Sequence, residues 1–182
     1  MFIAQKLKKE NICEYLLYMW QLEDILRALK LDIEEVNAKL VQPYSQLDVQ
    51  KKKELYEWYE SLMDMMRMEN VQTSGHLQIN INTLSEIDEF HQKLLQSGKD
   101  SKYSAVSQNI SLHLFELRKK SNPNISDIEL CFNFQYGILL LKLKKEKITP
   151  QTLEIHTEVS SFMKMLAVNF KKFKNGELSF EE

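Results

Sequence analysis

The stretch TPQTLEIHTEVSSFMKMLAVNFKKFKNG, residues 149–176, decides the fold. Thr149 offers a side-chain oxygen as an N-cap, and Pro150 follows where a missing N–H costs nothing. Behind them Ile155, Val159, Phe162, Met163, Leu166, Phe170 and Phe173 recur at helical spacing, and Gly176 marks the exit. A long helix with one apolar stripe needs other helices to cover it.

Those helices are legible upstream. Ser126, with Glu129 in capping-box position, opens a helix in which Ile128, Leu130, Cys131, Phe132, Phe134, Ile138, Leu139, Leu140, Leu141 and Leu143 are apolar nearly all round. Such a helix belongs in the middle of a bundle. A helix from about Ser101 to Lys120 carries Val106, Ile110, Leu114 and Leu117. It lies between the break Gly98-Lys99-Asp100 and the turn Ser121-Asn122-Pro123-Asn124. Thr83 with Glu86 reads as the capped start of a helix containing Leu84, Ile87, Leu94 and Leu95. Leu55, Trp58, Tyr59, Leu62, Met65 and Met66 form the stripe of a helix opening near Ser45, with Asp48 close behind, and ending near Glu69. A short helix opens at Asp32 and stops before Pro43, and the first helix runs from about Ala4 to Leu29.

One segment breaks the pattern. His76-Leu77-Gln78-Ile79-Asn80-Ile81-Asn82 alternates apolar with polar, the period of a strand. No second strand candidate exists to pair with it. We therefore expect an all-α, single-domain bundle of six or seven helices over residues 1–182, with one short extended segment near 76–82. Only 4 Gly and 3 Pro in 182 residues exclude the many tight turns of sandwiches, barrels and propellers. There is no glycine-rich phosphate loop.

Net charge is −2, from 24 basic and 26 acidic residues. Only Arg27, Arg67 and Arg118 among the basic residues are arginines. Neither the balance nor the lysine excess favours nucleic acid. Ile25 to Val36 has the rhythm of a helix-turn-helix, but Asp32-Ile33-Glu34-Glu35 would present carboxylates to phosphates. The opening residues lack a signal-peptide core, and the longest apolar run, Tyr136 to Leu141, is too short to span a bilayer. Cys13 and Cys131 sit in apolar helical contexts, which suits buried thiols in a reducing cytoplasm, although a disulfide between them is not excluded.

Three groups of residues are candidates for chemistry. Glu23 and Arg27, four residues apart, fall inside the apolar arc of the first helix. They are either a desolvated pair belonging to a site or a surface bridge at the arc's edge. His76, Gln78, Asn80 and Asn82 share one face of the alternating segment, and the amides either hydrogen-bond a small ligand or cap helix ends. Strand pairing between two copies is a further possibility for this segment, giving a homodimer. Asp88 with His91, His113 with Glu116, and Glu154, His156 and Glu158 are carboxylate–histidine steps on helices, the raw material of a metal-binding bundle. The chain has no Glu-x-x-His, so we expect no metal and no cofactor. No nucleophile motif is present.

Ile3-Ala4-Gln5-Lys6-Leu7, Glu10-Asn11-Ile12, Glu14-Tyr15-Leu16-Leu17-Tyr18-Met19-Trp20-Gln21, Trp58-Tyr59-Glu60, Ser74-Gly75-His76-Leu77-Gln78-Ile79-Asn80, Cys131-Phe132-Asn133 and Tyr136-Gly137 together resemble a small bacterial family known only as a domain of unknown function. The resemblance covers nearly the whole chain. It implies a cytoplasmic, uncharacterised, all-helical protein and assigns no catalytic residue. The expectation is a non-enzymatic binding or interaction protein, acting on a partner, a second copy or a small ligand. The alternative is a metal-binding bundle or enzyme using Asp88, His91, His113, Glu116 and His156.

Overall fold

The computed structural model describes residues 1–122 and 124–180. Pro123, placed in a turn by the sequence, lies outside the described residues. Eight α-helices follow in order: α1 (Phe2–Glu10), α2 (Ile12–Ala28), α3 (Ile33–Val36), α4 (Val49–Met68), α5 (Gln78–Ser97), α6 (Ser101–Arg118), α7 (Asp127–Leu143) and α8 (Pro150–Lys174). A π-helical turn, Asn37–Val41, continues α3. The described residues contain no strand. Contacts divide the chain into two compact units: Met1–Lys8 with Glu14–Asn82, and Lys9–Cys13 with the chain from Thr83 onward.

Caps set most boundaries. Asp32, Asp48, Ser126 and Thr149 each accept a backbone N–H from the first turn of their helix. Asp100 does the same for α6, taking the Tyr103 N–H at 2.9 Å. The expected first helix is two helices. Asn11 interrupts it, and its Oδ1 accepts the Cys13 N–H at 3.1 Å. An Asn side chain competes with the backbone ladder in this way and favours a cap over a helix interior.

In the first unit α3 and the π turn pack on α4. Helix α4 buries Leu55, Tyr59, Leu62, Met63 and Met66, the expected stripe except that Met63 replaces the half-buried Trp58 and Met65. Helix α2 buries Leu16, Met19, Trp20, Leu22 and Leu26.

In the second unit α6, α7 and α8 pack against one another. Phe90 meets Phe170 edge-on at 5.3 Å, and Tyr103 lies against Phe162 at 5.4 Å. Cys13 and Cys131 are free and buried, and burial pushes the Cys131 thiol far up, so it stays protonated. Gly176, at φ +75°, ends α8 in the left-handed conformation that lacks a Cβ penalty. Helix α7 is covered over Ile128–Ile138, but Leu139, Leu140 and Leu141 are half-buried and Leu143 is 59% exposed. Its apolar residues surround the axis, yet its last turn outruns the helices that cover it.

The largest departure from expectation is residues 76–82. Residues 78–82 are the first turn of α5, which opens at Gln78 instead of Thr83. Thr83 is buried inside the helix. Strand pairing of two copies through this segment therefore has no structural basis. The helix starts early because the groups that cap it come from elsewhere in the chain.

Candidate functional site

Glu23, on α2, is 1% exposed. Its Oε1 accepts the Leu77 N–H at 2.9 Å and the Asn80 Nδ2 at 2.7 Å, and its Oε2 meets His76 Nδ1 at 2.6 Å. The His76 ring stacks on Trp20 at 4.1 Å between centroids. Glu69, at the end of α4, takes the Gln78 N–H at 2.6 Å. Two carboxylates from other helices thus sit on the N-terminus of α5, where orphan N–H groups and the helix dipole favour negative charge. Leu77, the residue before the helix, has no side-chain acceptor, so the cap is supplied at long range. A buried carboxylate costs several kcal/mol unless hydrogen bonds compensate it, and here three do.

Arg27 does not pair with Glu23. Its Nη1 bonds Asp24 at 2.7 Å, and its Nε and Nη2 donate to the Val71 carbonyl at 3.2 and 3.0 Å. Nη2 also reaches the Gly75 carbonyl. Arg27 therefore straps down the loop that delivers His76 and Leu77. The Gln78 side chain bonds Asn82 on the exposed surface of α5 and takes no part. Of the residues read from sequence, Glu23, His76 and Asn80 converge, with Arg27 beside them. Both Glu23 oxygens are engaged within this group, while the Asn80 Oδ1 is buried without a partner. This arrangement is a clasp that fixes the start of α5.

The carboxylate–histidine steps do not come together. His91 Nδ1 lies 2.6 Å from the Tyr103 hydroxyl, His113 Nε2 lies 3.1 Å from Glu158, and Glu116 pairs with Lys119. The backbone carbonyl of His156 accepts from Gln135. Among the described residues no three His, Cys, Asp or Glu side chains are grouped to hold a metal ion. Burial lowers the His91 pKa, against the opposing pull of Asp88 and Asp127, and burial raises that of Tyr103. Both groups are therefore neutral at neutral pH, beside an open hollow of about 400 Å³ whose walls include Ser107, Gln108 and Asp127. Ser104 and Ser111 there already donate to helix carbonyls, and Asp127 is paired with Arg118.

A second cavity was not anticipated from sequence. In the first unit, Tyr18 from α2, Tyr44 from the loop before α4 and Tyr59 from α4 line a space of about 280 Å³, walled by Phe2, Leu47 and Leu55. Burial raises the Tyr18 and Tyr59 pKa values, and the phenols raise one another further: Tyr44 acts on Tyr18, and both act on Tyr59. Tyr18 and Tyr59 therefore keep their phenol protons at neutral pH. No hydrogen bond from any described residue engages the three hydroxyls. Tyr59 is 4% exposed as a residue, yet its hydroxyl is not among the fully buried unpartnered atoms. Of the three tyrosines only Tyr59 stood in a helical stripe read from the sequence.

The chain belongs to a family described as "Domain of unknown function (DUF4924)", whose model matches residues 1–177. No curated protein and no solved structure matches it.

Proposed function

From a family that carries no assigned chemistry, we propose that this chain is a non-enzymatic binding domain that holds a small molecule in the three-tyrosine cavity. The observation that carries this reading is that three tyrosines from three elements line one cavity, with no hydrogen bond from their hydroxyls to any described residue. Buried or half-buried hydroxyls are ordinarily hydrogen-bonded, and a ligand atom fills that role. Concave, mostly apolar spaces with a few convergent polar groups are the usual form of ligand sites, and this one is at the small end of their range.

We take the chain as one functional domain, in keeping with one family model over residues 1–177. A cytoplasmic setting is part of the proposal and is supported by two free, buried cysteines. No helix among the described residues is long and apolar enough to cross a membrane.

The test is ligand-observed NMR with a panel of single-ring organic molecules, on the wild type and on Leu47→Trp. Leu47 is half-buried at the cavity wall, and a larger ring there fills the space. We expect several members to bind the wild type and none to bind the variant, with the circular dichroism of both unchanged. Binding that survives Leu47→Trp, or no binding at all, rejects the proposal.

A further inference from the structure

We infer that the tip of the α7–α8 hairpin is a docking surface for a bilayer rich in anionic lipid. Leu143 and Leu153 enter the headgroup layer there, inside a collar of lysines. This role goes beyond the tyrosine cavity and does not depend on it.

The placement follows from how the hairpin packs. The Gln135 amide on α7 donates to the His156 carbonyl and the Ser160 hydroxyl on α8, which holds the two helices together. Toward the turn the cover thins. Leu139, Leu140 and Leu141 are half-buried, Leu143 is 59% exposed, and Leu153, in the first turn of α8, is 41% exposed. Between them residues 142–147 read Lys-Leu-Lys-Lys-Glu-Lys, and all six are exposed. None of these four lysines is in an ion pair with a described residue. Against them stand Glu146 and Glu154, so residues 142–154 carry a net charge of +2.

Exposed leucines interleaved with lysines suit a surface that is apolar below and negative above. An anionic leaflet is such a surface: its potential attracts lysines, and its acyl boundary takes apolar side chains. A second copy docking tip to tip would set one positive collar against another. A stable protein contact takes about 20–30 residues a side, more than the turn and its flanks supply. Insertion into lipid needs no such area, because a few apolar side chains and a few charges add up without a shaped partner. The segment holds no arginine, the residue that a fixed bidentate carboxylate partner would favour.

The test is sedimentation of the full chain with vesicles of phosphatidylcholine alone and of phosphatidylcholine mixed with phosphatidylglycerol. Each net charge near an anionic surface is worth about five-fold, so the mixed vesicles should bind about twenty-five-fold more tightly. Lys144→Gln with Lys147→Gln leaves the tip neutral and should erase that preference. Leu143→Gln with Leu153→Gln should weaken binding about ten-fold or more while the preference remains. All four positions are exposed, so the circular dichroism of both double variants should match the wild type. Equal binding to the two vesicles overturns the inference, and so does binding that ignores the leucine pair. Binding to neither vesicle overturns it as well and gives the tip a protein occupant. That occupant is a second copy if light scattering shows a dimer that the leucine pair breaks, and an acidic partner if the chain is a monomer.

Discussion

Glu23 is the residue whose removal should be felt most in the first unit. It takes a hydrogen bond at each of three contacts and is almost fully buried. Glu23→Ala leaves the Leu77 N–H, the Asn80 amide and His76 without their acceptor, and such orphaned groups cost about 1–3 kcal/mol each. We expect a total loss of about 3–5 kcal/mol, the range for breaking a buried polar network from one side. Glu23→Gln keeps the shape and one acceptor oxygen, and it should cost about half as much. Urea denaturation followed by circular dichroism measures both, and equal effects would show that charge is irrelevant to the clasp. The sequence made part of this visible. Helical spacing put Glu23 and Arg27 inside the apolar arc, and both are indeed sheltered. Their partners were not visible, because nothing in a four-residue spacing says that Arg27 turns to the Val71 and Gly75 carbonyls while Glu23 reaches residues more than fifty positions away.

At the scale of elements the instructive case is α5. Strict alternation over residues 76–82 is the pattern of a strand, yet the backbone there is helical from Gln78. Ile79 and Ile81 remain 40% and 41% exposed, so the alternation marks no buried sheet face. Tertiary caps from Glu23 and Glu69 outweigh the local signal. This makes the two ends of the turn respond differently to proline. Gln78 is the first helical position, where proline is tolerated and the losses are the N–H bond to Glu69 and the exposed side-chain bond to Asn82, so Gln78→Pro should cost about 1 kcal/mol. Asn82 lies a full turn inside on the exposed surface, and Asn82→Pro should cost about 3 kcal/mol or more. Chemical denaturation of the two variants gives the comparison, and a larger loss at Gln78 would contradict the helix. Helix α7 tests coverage in the same way. Ile138 is 3% exposed and Leu139 half-buried, so Ile138→Ala should lose about 2–5 kcal/mol and Leu139→Ala clearly less, read from the same midpoints. The caps at Ser126 and Thr149 were legible because each lies within three residues of the N–H it serves, whereas the start of α4, expected near Ser45, lies at Val49 with Asp48 as its N-cap. The tyrosine cavity was not legible, because its phenols come from three separate elements.

For the molecule as a whole, the absence of strands among the described residues followed from glycine and proline scarcity and from stripes of helical period, both of which are properties of the chain summed over its length. The pH dependence of stability is a global property too, and its sign follows from burial. In the unfolded chain His91 has an ordinary pKa near 6.5. In the fold burial lowers it, although Asp88 on α5 and Asp127 at the start of α7 pull the other way, while Tyr103 from α6 bonds its Nδ1 and Phe162 from α8 meets the ring edge-on. His156 is lowered as well, by burial and then by Lys142. Below the unfolded value the unfolded chain binds more protons than the native one, so stability rises with pH in this range. The contribution of neutral His91 is complete above about pH 6.5 and is lost as pH falls beneath it. Asp48 and Asp100, lowered chiefly by the backbone N–H bonds of Lys51 and Tyr103, add a loss only at still lower pH, as their carboxylates protonate. Urea midpoints between about pH 5 and 7.5 follow the histidines together with the Met1 α-amino group, whose pKa burial lowers to about 5 and which contributes with the same sign. The wild type should weaken steadily from about pH 6.5 downward. In His91→Gln, whose amide can still bond Tyr103, the slope should shrink to the share left by the remaining histidines and the Met1 α-amino group. An unchanged slope in His91→Gln would mean that the buried imidazole accepts its proton in the native state as readily as in the unfolded chain, and the neutral His91–Tyr103 pair would have to be abandoned.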